Sequence, residues 1–281
     1  MMEPMSAYGI TTSINGNCGF SIAPTHPDKT LRKDIADIFN FFEDIPYEPM
    51  MGSVPWDWRK WSEYKASLER NVRLPVNIGL FCGHVTLRIA VMGRDAWERA
   101  ATPDEIQQMC ALLDDAIGAG ALGLSSNLLD YDKFNRPLPP MRAEDDEWLA
   151  LMAVVARHPG ACMEVIIDNF MRMTGPESTE RMGRLAKQTG VRVQWLGMPT
   201  IKFQAPLYPR ENELHQKFKS EGTDMWAGYG HRPPTMHINF CRTLLFIQQG
   251  NPVWQEIVDA PTEEAKFALL SDPTWRARAR E

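Results

Sequence analysis

The sequence predicts an α/β fold built on a parallel sheet, either a closed barrel or a doubly wound layer. Short apolar stretches alternate along the chain with segments of helical periodicity, the pattern of strands joined by helical crossovers. The chain has 281 residues, of which 44% are hydrophobic, so it is long enough for a large buried core. We find no repeat and no linker, and we expect a single domain over residues 1–281.

Apolar, strand-like stretches recur between the helical segments. The third of them changes abruptly from apolar residues to the hydroxyls of Ser125 and Ser126, as expected where a buried strand reaches an active face. Beyond residue 197 the only further extended candidate is 235–240. The other predicted strands cover 9–14, 76–81, 121–126, 162–167 and 191–196.

The predicted helices begin and end at recognisable signals. Thr102 is a typical N-cap, with Pro103 at the first helical position and Glu105 placed to complete a capping box, and Gly118 ends the apolar periodicity. Four acidic residues open another helix at 144–147, where negative charge suits the helix dipole. Helices are also predicted at 31–42, 56–70, 181–189 and through most of the tail from about 239, whereas 197–234 is predicted to be an irregular insertion.

Composition excludes several classes of function. The net charge of −6 offers no electrostatic footprint for nucleic acid. No apolar run approaches the roughly 20 residues of a membrane span, so no membrane partner is expected. The N-terminal residues lack the pattern of a signal peptide, and the five cysteines are scattered, which favours reduced thiols and a cytoplasmic location.

The most informative stretch is Gly16-Asn17-Cys18-Gly19, directly after the first predicted strand. The glycines allow a sharp turn and leave the sulfur uncrowded at the carboxyl end of a strand, where parallel α/β folds collect catalytic groups. A thiolate at this position is able to bind a metal ion. The alternative is an inert, buried thiol, since free cysteine is among the most buried residue types.

Together, several motifs resemble the N-acyl-D-amino-acid deacylases of the amidohydrolase superfamily. The resemblance runs from about residue 8 to 127, with a more divergent continuation from 142 to 280. It rests on the Cys18 turn, on Gly83-His84 followed by Leu87-Arg88, and on the motifs at 9–12, 77–79, 91–93 and 120–126.

The resemblance implies a (β/α)8 TIM-type barrel, incomplete in this chain, that hydrolyses an N-acyl amide with the help of metal ions, of which zinc suits a thiolate. Cys18 inherits the position of a metal ligand. His84, Arg88, Ser125 and Ser126 become candidate contacts to a small N-acyl amino acid. Each has a structural alternative: a loop histidine bonded to a carbonyl, an arginine in a structural role, and helix-capping serines.

The chain also departs from the family pattern. The paired histidines that the family carries before the cysteine motif are absent from residues 1–17, and the later strands read Met163-Glu164-Val165-Ile166 and Trp195-Leu196-Gly197-Met198, without histidine. The family's metal-binding Asp, its general base, lies downstream of residue 281, so we expect the chain alone to be poorly active. The alternative function is a metal-free barrel scaffold that binds a small molecule or partner, and an open sheet edge would require a second copy or a completing chain.

Further residues are weaker candidates. Glu164 is a potential oxygen ligand, and His26 lies eight residues beyond Cys18 in a Pro-bounded loop. The spacing of His231 and His237 fits neither a helical nor a strand metal pair, so both are predicted to be loop residues. Asp28, Asp130 and Asp132 are candidate acids only through their loop positions.

Overall fold

A computed structural model describes residues 3–43, 45–134, 136–169, 172–198, 202–229 and 252–280. The fold is α/β, as predicted, with parallel strands and helical crossovers. The strands are β1 (Thr12–Asn15), β2 (Asn77–Leu80), β3 (Cys82–Gly83), β4 (Gly123–Asn127), β5 (Cys162–Ile166), β6 (Val193–Leu196) and β7 (Met225–Gly228). A five-stranded parallel sheet has the order β3-β4-β5-β6-β7, and β1 pairs with β2 in a two-stranded parallel sheet.

The helices lie between the strands and in the C-terminal part of the chain. They are α1 (Glu3–Ala7), α2 (Leu31–Glu43), α3 (Tyr47–Ser53), α4 (Trp61–Asn71), α5 (His84–Met92), α6 (Pro103–Gly118), α7 (Asp145–Arg157), α8 (Gly175–Thr189), α9 (Tyr208–Ser220), α10 (Pro252–Asp259), α11 (Glu263–Ser271) and α12 (Pro273–Arg278).

The strand order follows the chain without reversal. Only Phe81 separates β2 from β3, and its backbone N–H donates to the carbonyl oxygen of Asn15 at 3.1 Å, so the two sheets meet along one continuous stretch of chain. A doubly wound layer reverses its strand order at a switch point. The described strands show no such reversal, which is the arrangement of successive strands in a barrel wall.

Alternate residues along the strands face different surroundings. Leu124, Met163, Val193 and Met225 occupy one register row and are completely buried on the face that the helices cover. The opposite face carries Ser125, Glu164, Gln194 and Trp226 in register, buried at the first two positions and exposed at the last two. Of the polar side chains of β4 and β5, only Ser126 therefore lies on the face that the helices cover.

The sequence signals placed most elements correctly. The capping box at α6 is present, since the Glu105 N–H donates to Thr102 Oγ1 at 3.3 Å and the Thr102 N–H donates to Glu105 Oε2 at 2.8 Å. Helix α4 begins at Trp61, later than predicted, and α8 begins at Gly175, earlier than predicted.

The prediction of irregular structure over 197–234 is wrong for residues 208–228, which form α9 and β7. The alternation of helix and strand thus continues one unit further than expected. Strand β7 reads Met225-Trp226-Ala227-Gly228, without a β-branched residue and with Ala and Gly, which are depleted in strands, so the local sequence carries only a weak strand signal. The extended candidate at 235–240 lies outside the described residues, as do His231 and His237.

Among the described residues, no helix combines the length and the apolar character needed to cross a membrane.

Candidate functional site

The turn that carries Cys18 begins directly after β1. Cys18 itself has a left-handed backbone with φ of 57°, between Gly16 at 81° and Gly19 at 78°. A residue with a side chain is about 1–2 kcal/mol less stable at such a φ than in the right-handed region. Glycine has no Cβ and does not carry this cost. The thiol is thus presented from a tight, mostly left-handed turn at the carboxyl end of a parallel strand, as the sequence predicted.

Side chains from the neighbouring strands hold this turn by its backbone. Ser125 Oγ donates to the carbonyl oxygen of Gly16 at 2.5 Å and accepts the Gly19 N–H at 3.2 Å. Asn127 Nδ2 donates to the Cys18 carbonyl oxygen at 3.0 Å. The Cys18 N–H donates to Glu164 Oε2 at 2.8 Å. Strands β4 and β5 therefore fix the position of the thiol through hydrogen bonds to the turn's backbone.

Glu164 is a buried carboxyl group with half of its hydrogen-bonding capacity unused. Its side chain is 1% exposed, and Oε1 has no hydrogen-bond partner among the described residues. Burial raises the pKa of Glu164 to about 8, although the N–H of Cys18 acts against this shift. Burial, reinforced by the charge of Glu164, also raises the pKa of the Cys18 thiol, which is therefore neutral in this environment.

The described residues do not complete a metal site. Cys18 and Glu164 supply a sulfur and a carboxylate oxygen close together, but within the described ranges no cluster of three or more His, Cys, Asp or Glu side chains is placed to bind one ion. A tetrahedral zinc site takes three or four protein ligands. We therefore derive no reaction step through a metal.

His84 and Arg88 lie on the other side of the sheet, one helical turn apart on α5. Both side chains are completely buried, and both contact Glu147 of α7. His84 Nε2 lies 2.8 Å from Glu147 Oε1, and His84 Nδ1 lies 2.8 Å from Ser126 Oγ. Burial lowers the pKa of His84, so the neutral ring donates from Nε2 to Glu147 and accepts from the Ser126 hydroxyl.

Arg88 completes this buried network. Its guanidinium pairs with Glu147 Oε2, and Nη2 donates to the carbonyl oxygen of Arg99 at 2.8 Å. The polar atoms of His84 and Ser126 are likewise engaged within the protein. Of the four predicted substrate contacts, only Ser125 forms side-chain hydrogen bonds with the Cys18 turn among the described residues. A role of any of the four in substrate binding stays a prediction.

The remaining candidates are spread around the turn. Asp130 lies near it, because Asn127 Nδ2 donates to Asp130 Oδ2 at 2.7 Å and also binds the Cys18 carbonyl. Asp132 pairs with Arg136 at 2.8 Å. His26 Nδ1 accepts the N–H of the exposed Asp28 at 2.9 Å, a local turn contact.

Two site residues were not singled out from the sequence. Asn127 is the last residue of β4, and its amide ties the Cys18 carbonyl to the loop that follows the strand. Glu147 lies in the first turn of α7, where its charge was assigned to the helix dipole alone. A signal for Asn127 was present in the sequence, because it follows Ser125 and Ser126 directly. Side chains alternate between the two faces of a strand, so Asn127 lies on the same face as Ser125.

Comparison with known proteins identifies relatives for part of the chain. It is 30% identical over 185 residues to a D-aminoacylase of Alcaligenes xylosoxydans xylosoxydans, a match that covers 65% of this chain and 33% of the relative. An N-acyl-D-aspartate deacylase of the same organism is 39% identical over 126 residues, covering 44% of this chain and 22% of that protein. An uncharacterized protein of Mycobacterium tuberculosis is 34% identical over 172 residues, covering 57% and 27%.

The structural comparison agrees. A crystal structure of D-aminoacylase, described as defining a novel subset of amidohydrolases, superposes with a TM-score of 0.58 at 26% identity and covers 80% of this chain and 42% of that one. The chain is related to the D-aminoacylases. This confirms the resemblance, and these relatives are enzymes. No family model matches the sequence.

The D-aminoacylase relationship is partial. The chain spans about a third or less of the length of the curated relatives it matches. A D-aminoacylase neighbour with a TM-score of 0.58 and 25% identity is described by its binuclear metal center, with one-metal activation and second-metal attenuation. The described residues of this chain do not complete such a center.

Proposed function

We propose that this protein is an amidohydrolase that releases the acyl group from N-acyl-amino acids of D configuration. The observation that carries the proposal is the Cys18 turn at the carboxyl edge of a parallel sheet, whose N–H donates to Oε2 of Glu164 while Oε1 of that carboxyl group has no partner among the described residues. The similarity to deacylases supports the reaction class, and the D-amino acid specificity comes from the names of those relatives.

The chain's own residues position the reacting groups in this proposal. The turn presents the thiol of Cys18, Ser125 and Asn127 hold the backbone on either side of it, and Glu164 supplies a carboxylate oxygen next to it. Burial excludes water from Glu164, which strengthens its electrostatic interactions. We assign Cys18 as the candidate zinc ligand, although the described residues do not complete a zinc site.

The finer features of the fold belong to the same proposal. The unreversed strand order supports a TIM-type barrel. Ile14 on β1 is 58% exposed and Ile78 on β2 is 36% exposed, so this pair of strands presents apolar surface to solvent. Such a surface favours a completing chain or a second copy of the protein. We place the protein in the cytoplasm.

A second candidate function is a metal-free scaffold that binds a small molecule. The observation that favours it is the small number of donors near Cys18: Glu164 is the only acidic side chain that contacts the turn's backbone among the described residues, and β5 and β6 contain no histidine. This candidate requires the fold and the turn but no hydrolysis.

The experiment combines metal content with product release. Protein purified without chelator or histidine tag is analysed for metal by elemental mass spectrometry and incubated with N-acetyl-D-methionine and its L isomer. Near one zinc per chain, with release from the D isomer above that from the L isomer at the low rate expected of the chain alone, supports the deacylase, and Cys18→Ser should abolish both. Cys110→Ser, at a half-buried thiol on α6, is the matched control and should change neither. Absence of metal and of release under zinc supplementation would favour the scaffold.

A further inference from the structure

An apolar cavity lies next to the Cys18 turn, on the side of α2 and α3. Its volume is about 600 Å³, within the range of roughly 300–1,000 Å³ that small-molecule sites occupy. The turn contributes Gly16 and Phe20 to the lining, and Leu80 contributes the end of β2. The cavity therefore opens where the carboxyl ends of two parallel strands meet the candidate catalytic turn.

The walls of the cavity are hydrocarbon. Phe39 of α2, Met50 of α3 and Val54 directly after α3 face Leu80 across it, and none of the described lining residues carries a charge. Polar lining residues such as Asn15 and Ser21 lie at the end nearest the turn. A charged ligand buried in these walls would lose its hydration without compensation. The occupant must be apolar over most of its length.

Aromatic packing gives one wall a fixed shape. The Phe20 ring stacks on Phe42 with centroids 5.3 Å apart and contacts Phe39 at 6.1 Å. Ser21 Oγ is bound to the carbonyl of Ala23 at 2.7 Å, so this hydroxyl is held in place at the polar end. The site is thus largely preformed, with an apolar body, and it reaches the Cys18 turn at the backbone of Gly16.

The geometry points to this cavity as an acyl-chain site, which takes the medium-length alkyl chain of an N-acyl-amino acid and places the amide at the Cys18 turn. The inference rests on the proposed function for the identity of the polar end. The acyl-chain site implies a preference for acyl chains of medium length over the acetyl group, because an acetyl group leaves most of a cavity of this size empty.

The test is binding by isothermal titration calorimetry, in chelator-containing buffer so that hydrolysis does not interfere. The probes are N-acetyl-, N-hexanoyl- and N-decanoyl-D-alanine, with free decanoate as a further arm. If the chain enters the cavity, the dissociation constant should fall about fourfold per added methylene, the factor that corresponds to about 0.8 kcal/mol per buried CH₂. No dependence on chain length would overturn the inference.

Two matched substitutions localise the effect. Val54 and Val72 both follow the last residue of a helix in extended conformation, and both N–H groups bond back to the carbonyl four residues earlier. Val54→Trp fills the cavity and should weaken decanoyl binding at least tenfold, whereas Val72→Trp, in a different cleft, should not. Equal effects of the two would contradict the assignment.

Two further outcomes remain informative. If Val54→Trp does not fold, as judged by circular dichroism, Ser53→Trp at the exposed mouth should block the chain instead. Decanoate that binds as tightly as the decanoyl amide, and is blocked by the same substitution, would show that the amide and the amino-acid part add nothing to binding, which would overturn the placement of the amide at the Cys18 turn. Binding that depends on chain length, without hydrolysis in the presence of zinc, would contradict the deacylase role alone. Binding and hydrolysis can thus fail separately.

Discussion

The carboxylate of Glu164 accepts the backbone N–H of Cys18 at 2.8 Å, across 146 residues of chain. This contact joins the turn after β1 to the middle of β5, two strands that are not neighbours in the sheet order. The other oxygen, Oε1, is buried and has no hydrogen-bond partner among the described residues. The Glu164 side chain therefore carries a desolvation cost that its one hydrogen bond does not offset. A residue retained at that cost is expected to serve the site more than the fold.

The first prediction concerns this carboxylate. Glu164→Gln keeps an oxygen that can accept the Cys18 N–H and removes a group whose ionisation is disfavoured by burial, so we expect the free energy of unfolding to stay equal or to rise by about 1 kcal/mol. Glu164→Ala removes the acceptor and leaves a cavity, and should cost about 2–4 kcal/mol. Urea unfolding at neutral pH measures both variants. Equal loss in both would show that the charge itself is required for stability.

The second prediction concerns the buried network on the helical side. Arg88→Met leaves Glu147 buried with His84 alone, and breaking such a pair should cost about 3–5 kcal/mol. Arg94→Met provides the control, because the Arg94–Asp34 pair lies on the surface and should contribute under about 1 kcal/mol. Thermal or urea unfolding reports both. If Arg88→Met were as mild as Arg94→Met, Arg88 would be free for the substrate role that the sequence suggested.

A second buried carboxyl group, Glu211 on α9, faces the start of α8. A Cβ added to Gly175 would stand within 2.1 Å of both Glu211 Oε1 and Asn169 Oδ1, so these two acceptor oxygens converge beside the glycine. Glu211 is completely buried, and its pKa is raised to about 7 by burial and by the charge of Glu177. His215 lies on the same face of α9, and burial lowers its pKa.

The third prediction follows from the direction of the Glu211 shift. Below about pH 4.5 the group is protonated in both states, and its contribution to stability is fully present. As pH rises toward 7 the unfolded chain ionises first, so the free energy of unfolding should fall by about 3 kcal/mol and level off above pH 7. Urea unfolding from pH 4.5 to 8 measures the slope.

Matched variants isolate this slope. Glu211→Gln should reduce it, whereas Glu213→Gln, at an exposed residue of the same helix paired with Arg210, should leave it unchanged. Because His215 and the charge of Glu177 lie near Glu211, the comparison is made as the difference between variant and parent at each pH. An unchanged slope in Glu211→Gln would show that the group is ionised in the folded protein throughout.

The sequence allowed the alternation, the caps and the Cys18 turn to be predicted, because each depends on residues close together in the chain. It did not reveal that Ser125 and Ser126 serve opposite faces, one holding the turn and the other His84. Adjacent strand residues point apart by geometry, but which face is the helical one depends on packing across the sheet. The contact of Glu164 with Cys18 depends on β4 lying between their strands, which no local pattern records.

The last prediction uses the backbone of Cys18. At a φ of 57° any side chain is disfavoured, so Cys18→Gly should be more stable than Cys18→Ala by about 1 kcal/mol, although both lose the thiol. Urea unfolding compares the two, and both should lose any metal bound by the parent. If Cys18→Ala were as stable as Cys18→Gly, the turn would adapt to a side chain without strain. A higher free energy of unfolding for Cys18→Gly than for Cys18→Ala would mean that the thiol is kept at a conformationally costly position, which is typical of functional residues.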